Sequence, residues 1–205
     1  MISDWARGFF RGFLEAVARF FQRLGVTPNQ LTIIGLMLQA VVAVVIALGY
    51  LPLAGILLVL FSIFDAFDGT LARMTGRAST FGSFLDSTID RYAEAIVLFG
   101  LLVYMTGIGD RTGILLIYVS IVGSLLVSYT RAKAESLDIE CKVGILTRAE
   151  RIIVLVIGLV FSGWHPFPGG PGVLILALWV LAIFSNVTAI QRVYAVWKAT
   201  ESERN

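Results

Sequence analysis

Four aspartates stand in two pairs: Asp65 and Asp68 three residues apart, Asp86 and Asp90 four apart. On helices, both spacings put the two carboxylates of a pair on one face. The short turn Met74–Thr80 lies between the pairs, so antiparallel neighbouring helices would bring all four acids to one depth. Gathered carboxylates repel one another, and at the rim of a hydrocarbon layer each is costly to keep ionised. Divalent cations are the simplest compensation, because hard cations prefer carboxylate oxygen. This pattern suits metal-assisted phosphoryl chemistry, with Asp65, Asp68 and Asp86 as ligands or bridges for one or two ions. Asp90 is either a further ligand or the group that receives a proton from an attacking hydroxyl. Arg73 and Arg77 supply charge for phosphate oxygens, while Gly69 and Gly82 let a nucleotide approach the backbone closely. The competing reading is an acid-lined ion or proton path, as in an ion-coupled transporter.

The elements that must position these acids are apolar. The chain has 205 residues, of which 58% are hydrophobic and 15% charged, and its mean hydropathy is +0.87. Soluble domains carry roughly 25% charged residues, so an all-α polytopic membrane protein is expected. One cysteine, Cys141, excludes an internal disulfide. Residues 1–23 lack the continuous apolar core of a secretory signal. They interleave Trp5, Phe9, Phe10, Phe13 and Phe20 with Arg7, Arg11, Arg19 and Arg23, the pattern of an amphipathic helix in an anionic headgroup layer. That segment, 1–24, is expected to precede a membrane catalytic domain at 25–199 and a short cytoplasmic tail at 200–205. Gly25 and Thr27-Pro28-Asn29 break the chain, with Thr27 or Asn29 capping the next helix.

Six transmembrane helices are expected: Leu31–Leu48, Leu53–Leu71, Phe81 to about Met105, Thr112–Thr130, Ile152–Phe161 and Val173 to about Trp197. The fifth is the weakest, being well short of the roughly 20 residues that cross a bilayer core. With the N-terminus in the cytoplasm, this arrangement leaves only Arg111 of the 16 Lys and Arg residues outside. The bias predicts an inner (cytoplasmic) membrane protein with both termini and the acids on the cytoplasmic side. Arg131, Lys133, Arg148, Arg151 and Arg192 share that depth, which permits a basic pocket beside the acids. Such a pocket suits a phosphorylated acceptor better than a neutral one, although arginines at this level also serve simply to set topology. No nucleic-acid partner is expected, because the basic residues form a membrane-side ring without interleaved stacking aromatics.

Asp65, Asp68-Gly69, Ala72-Arg73, Gly82, Asp86 and Asp90 resemble the full signature of the CDP-alcohol phosphotransferase family. The resemblance implies that family's fold and the transfer of a phosphatidyl or related group from a CDP-linked donor to an alcohol, with release of CMP. It implies Mg2+ or Mn2+, two ions, held by Asp65, Asp68 and Asp86, and Asp90 as the base. It also implies a cytidine diphosphate site lined by Gly69, Ala72, Arg73 and Gly82, and a homodimer. Three further stretches, SYTRAKAES, TRAERII and AIQRVYAVW, resemble the family's phosphatidylinositol phosphate synthases, which join CDP-diacylglycerol to inositol 1-phosphate. That likeness assigns the acceptor phosphate to Arg131, Arg148, Arg151 and Arg192. Arg131 departs from it, standing where those enzymes commonly carry lysine. Glycerol 3-phosphate, the acceptor of phosphatidylglycerophosphate synthases, is the main competing substrate.

Overall fold

The computed structural model describes residue 12 and residues 16–166, 170 and 172–202; the side chains of Asp65, Ala66 and Ser202 lie outside that description. Among the described residues, six helices follow a helical stretch at 16–23: α1 (Pro28–Ala47), α2 (Leu51–Thr75), α3 (Thr80–Gly107), α4 (Arg111–Glu135), α5 (Arg148–Val160) and α6 (Val173–Ser202). The expected interfacial helix at 1–24 falls largely outside the described residues.

The all-α expectation holds, but the expected count of six spanning helices does not. Among the described residues four helices are long and apolar enough to cross a membrane: Pro28–Ala47, Leu51–Thr75, Arg111–Glu135 and Val173–Glu201. Helix α3 has the length, at 28 residues, yet Asp90, Arg91 and Glu94 fall within any 18-residue stretch of it. Helix α5 fails on length: its 13 residues rise about 20 Å, against a hydrocarbon core of about 30 Å. Multiple long apolar helices make this a multi-pass membrane protein.

The chain divides into two compact units. The first gathers the chain up to Val42 with Leu57–Val97 and contains the two acid pairs. Its core is Ala18, Leu31, Phe67 and Leu71, with Val17, Phe21, Val26, Ile63 and Phe64 packed against it. Phe21, Phe64 and Phe67 meet edge to face at centroid separations of 5.8 and 5.6 Å. Phe67 and Leu71 are four apart and turn one stripe of α2 inward, which leaves the adjacent stripe of Asp68 and Ala72 for the site. The stretch at 16–23 thus packs Val17, Ala18 and Phe21 on protein, while Phe20 is exposed.

The second unit gathers Ala43–Ile56 with the chain from Leu98 onward. Here α6 packs along α4 and α5. Small residues permit close approach at Gly55, Gly100 and Gly123. A Cβ on Gly55 would stand 2.7 Å from Val160 Cγ2, and one on Gly123 would stand 2.6 Å from Asn186 Nδ2. A Cβ on Gly100 would collide with the Ala43 carbonyl oxygen. The α4 N-terminus is capped by Asp110, whose Oδ1 accepts from Gly113 N at 2.9 Å.

Candidate active site

The site begins with how two helices of the first unit start and one ends. Thr27 caps α1 through a reciprocal capping box: Gln30 N donates to Thr27 Oγ1 at 3.3 Å, and Thr27 N donates to Gln30 Oε1 at 2.8 Å. Of the two expected caps, Thr27 is therefore the one used. Helix α2 ends in a Schellman turn, with Gly76 at φ +65° and Arg77 N donating to the Ala72 carbonyl at 3.1 Å. Ser79 then caps α3, its Oγ accepting from Gly82 N at 3.0 Å. The positive end of α3 and that of α1 consequently open on the same cleft, where an anion is favoured.

That cleft has a volume of about 240 Å³. One water occupies about 30 Å³ of liquid, so the space suits a group much larger than a lone ion. Asp68, Gly69, Ala72, Arg73, Gly82 and Asp86 all line it, together with Arg77. Asp68 is buried, Asp86 is half-buried, and the two arginines are exposed. Thr70 Oγ1 accepts from Arg73 Nη2 at 3.2 Å, which steadies the guanidinium along α2. A Cβ on Gly69 would meet nothing closer than Arg73 Nη1 at 3.6 Å, so its lack of a side chain answers no crowding by the protein. At Gly82 a Cβ would press on Ser79 Oγ at 3.1 Å and Asn29 Oδ1 at 3.2 Å.

Among the described side chains, Asp90 is the expected acid that this lining leaves out. Asp65 lies on α2, one turn before Asp68, with its side chain outside the described residues. Asp90 lies one turn beyond Asp86 on α3, half-buried, and is not among the lining residues. Among the described residues no three acidic, histidine or cysteine side chains gather into a ready metal cluster. The donor chemistry of the cleft still fits a hard cation: two carboxylates, the Asn29 amide, and the hydroxyls of Thr32, Ser79 and Ser83, without imidazole or thiol. Asn29, Thr32 and Ser83 were not expected here. Nothing in their local sequence marks them, because what brings them to the cleft is the packing of α1 against α2 and the capping of α3.

The four arginines expected to bind the acceptor phosphate, Arg131, Arg148, Arg151 and Arg192, lie in the second unit. Arg131, Arg151 and Glu135 are near enough to Arg192 to act on its charge. Arg192 is buried; its Nε donates to the Val143 carbonyl at 2.9 Å, and its Nη1 donates to the Val127 carbonyl. Arg151, also buried, donates from Nη1 to the Leu146 carbonyl at 3.3 Å. Arg131 is exposed and pairs with Glu135 at 2.8 Å. Arg148 is half-buried in the first turn of α5, one turn before Arg151. The Thr147 hydroxyl bonds the Glu150 carboxylate and holds it below the usual carboxylate range. The loop before α5 is tied to α6 by Leu146 N, which donates to Thr188 Oγ1 at 3.1 Å. Gly144 in that loop has φ +141°, a conformation that side chains other than glycine's rarely adopt.

Known proteins resemble this chain over most of its length. A phosphatidylinositol phosphate synthase of Streptomyces avermitilis is 37% identical over 96% of this chain and 82% of that protein. An archaetidylinositol phosphate synthase of Pyrococcus horikoshii is 38% identical over 92% of this chain and 93% of that protein. The phosphatidylinositol phosphate synthase of Mycobacterium tuberculosis, solved with CDP-DAG bound, matches at a TM-score of 0.83 and 32% identity. That match covers 90% of this chain and 93% of the other; the same enzyme has also been solved with manganese and citrate. The family model for CDP-alcohol phosphatidyltransferases spans residues 25–195 and with them the whole signature from Asp65 to Asp90, so this chain belongs to the CDP-alcohol phosphatidyltransferase family.

Proposed function

We propose that this enzyme transfers the phosphatidyl group of CDP-diacylglycerol to a hydroxyl of inositol 1-phosphate, giving phosphatidylinositol phosphate and CMP. The observation that carries the reading is the cleft itself, which collects Asp68, Gly69, Ala72, Arg73, Gly82 and Asp86 on one lining. The identity to both phosphatidyl- and archaetidylinositol phosphate synthases supports an inositol phosphate acceptor.

In this reading Asp65, Asp68 and Asp86 hold Mg2+ or Mn2+, two ions, with Asp90 adjoining. When bound, such ions neutralise the diphosphate and polarise its phosphorus–oxygen bonds. Arg73 and Arg77 bind phosphate oxygens from the open side of the cleft, and Gly69 leaves the backbone accessible to the nucleotide. Asp90 accepts the proton of the acceptor hydroxyl as that oxygen bonds the phosphorus nearest the glycerolipid. The anhydride bond breaks and CMP leaves with its electron pair, while Asp90 later returns its proton to water. Arg131, Arg148, Arg151 and Arg192 receive the acceptor's phosphate. Both termini and the cleft face the cytoplasm of the inner membrane, and the enzyme works as a homodimer.

The test is transfer by purified protein from mass-tagged CDP-diacylglycerol, with inositol 1-phosphate, free inositol, glycerol 3-phosphate and serine offered separately. Product with inositol 1-phosphate alone is the expected result. Product with glycerol 3-phosphate alone would overturn the acceptor and leave the phosphotransfer intact. CDP-archaeol offered beside CDP-diacylglycerol resolves the lipid half of the donor, on which the archaeal relative bears.

A further inference from the structure

We infer that Thr32 is a positioning residue for Asp68, its hydroxyl fixing how that carboxylate is presented to a divalent cation. The Thr32 Oγ1 lies 2.7 Å from Asp68 Oδ2 and 3.1 Å from the Pro28 carbonyl oxygen. A hydroxyl has one proton to give, and the shorter path to a charged acceptor makes the stronger bond. Gly69 N donates to the other oxygen, Oδ1. Each oxygen of Asp68 therefore accepts a hydrogen bond from a different element, α1 on one side and α2's own backbone on the other. A carboxylate has about four acceptor sites, and these two bonds set the orientation in which it meets a cation.

The geometry makes this more than a neighbourly contact. Asp68 is only 8% exposed, where a hydrogen bond is stronger than in water. Thr32 sits one turn into α1, whose start is held by the Thr27–Gln30 box, so the hydroxyl has a fixed origin. Both side chains line the cleft. Hydrogen bonds of this kind to metal-binding carboxylates orient the ligand, and their loss weakens metal affinity by roughly 10- to 100-fold.

This inference rests on the reading of the cleft as a metal site, and the experiment separates the two. Mn2+ binding to purified protein is measured by the electron paramagnetic resonance of free Mn2+, without substrate, for wild type, Thr32→Ser, Thr32→Val and Thr32→Ala, with folding checked by thermal melting. Thr32→Val and Thr32→Ala are expected to bind Mn2+ about tenfold more weakly, and Thr32→Ser close to wild type. In the transfer assay, raising Mn2+ should restore kcat to the two variants that lack the hydroxyl, which a packing defect would not allow. Unchanged Mn2+ affinity in folded Thr32→Val or Thr32→Ala would overturn the role of Thr32, as would Thr32→Ser binding as weakly as they do. Failure of the wild type to bind Mn2+ would overturn the metal site first.

Discussion

Gly69 has room for a methyl group, which makes it an informative residue. Its absent side chain meets only Arg73 Nη1, at an ordinary contact distance of 3.6 Å. Gly69→Ala should therefore melt like wild type while its KM for CDP-diacylglycerol rises about tenfold or more, the effect of an added carbon in a fitted site. An unchanged KM would remove the nucleotide from that side of the cleft. Asp90 is the residue whose role depends most on chemistry and least on placement. Asp90→Asn is expected to lower kcat by roughly 10²- to 10⁴-fold, the usual worth of a general base, with donor binding retained in equilibrium titration. Near-normal turnover at saturating metal would end its role as base. At this scale the sequence was readable wherever a partner is local: residues three and four apart on α2 necessarily share a face, so Asp68 and Ala72 reach the cleft together. It was silent on Thr32, whose carboxylate partner is 36 residues away. It also grouped Asp90 with the other acids by helical spacing, whereas the cleft lining stops at Asp86.

At the scale of elements, apolar runs identified the helices but overcounted the spans. Phe81–Met105 looked like a span because its second half is apolar, yet Asp86, Asp90, Arg91 and Glu94 occupy the half that faces chemistry. Ile152–Phe161 was visibly short, and α5 gains only its polar first turn, Arg148–Arg151, over that run. Turn chemistry was the better guide, since Thr27, Gly76 and Ser79 each act where cap and turn residues should. Helix pairing in the second unit depends on small residues at α4 and α6. Gly123→Ala would put a methyl 2.6 Å from Asn186 Nδ2 and 2.9 Å from Ser185 Cβ. Overpacking of this kind costs about 1–3 kcal/mol, so thermal melting in detergent should show a lower Tm. An unaltered Tm would mean that α4 and α6 do not approach so closely in solution.

For the molecule as a whole, apolar composition and a concentrated acid signature describe an enzyme that works on a lipid from within its membrane. The membrane setting was legible in composition and the family in the spacing of its signature, while the donor class followed only from the resemblance to that family. The arrangement of the arginines expected at the acceptor was not legible. Arg192 is buried and bound to the carbonyls of Val143 and Val127, 49 and 65 residues away, contacts that residue spacing cannot disclose. If hard cations hold the donor's diphosphate, chelation must stop the reaction. EDTA is expected to abolish CMP release, and added Mg2+ or Mn2+ to restore it; turnover that persists through exhaustive chelation would contradict the carboxylate assignment.

The most direct measurement follows one phosphorus atom. CDP-diacylglycerol radiolabelled at the phosphorus beside glycerol is supplied with inositol 1-phosphate, and lipid and nucleotide products are separated and counted. Attack at that phosphorus places all the label in the phosphatidylinositol phosphate and none in CMP. Label recovered in a water-soluble nucleotide, or CMP released without an acceptor, would contradict phosphatidyl transfer.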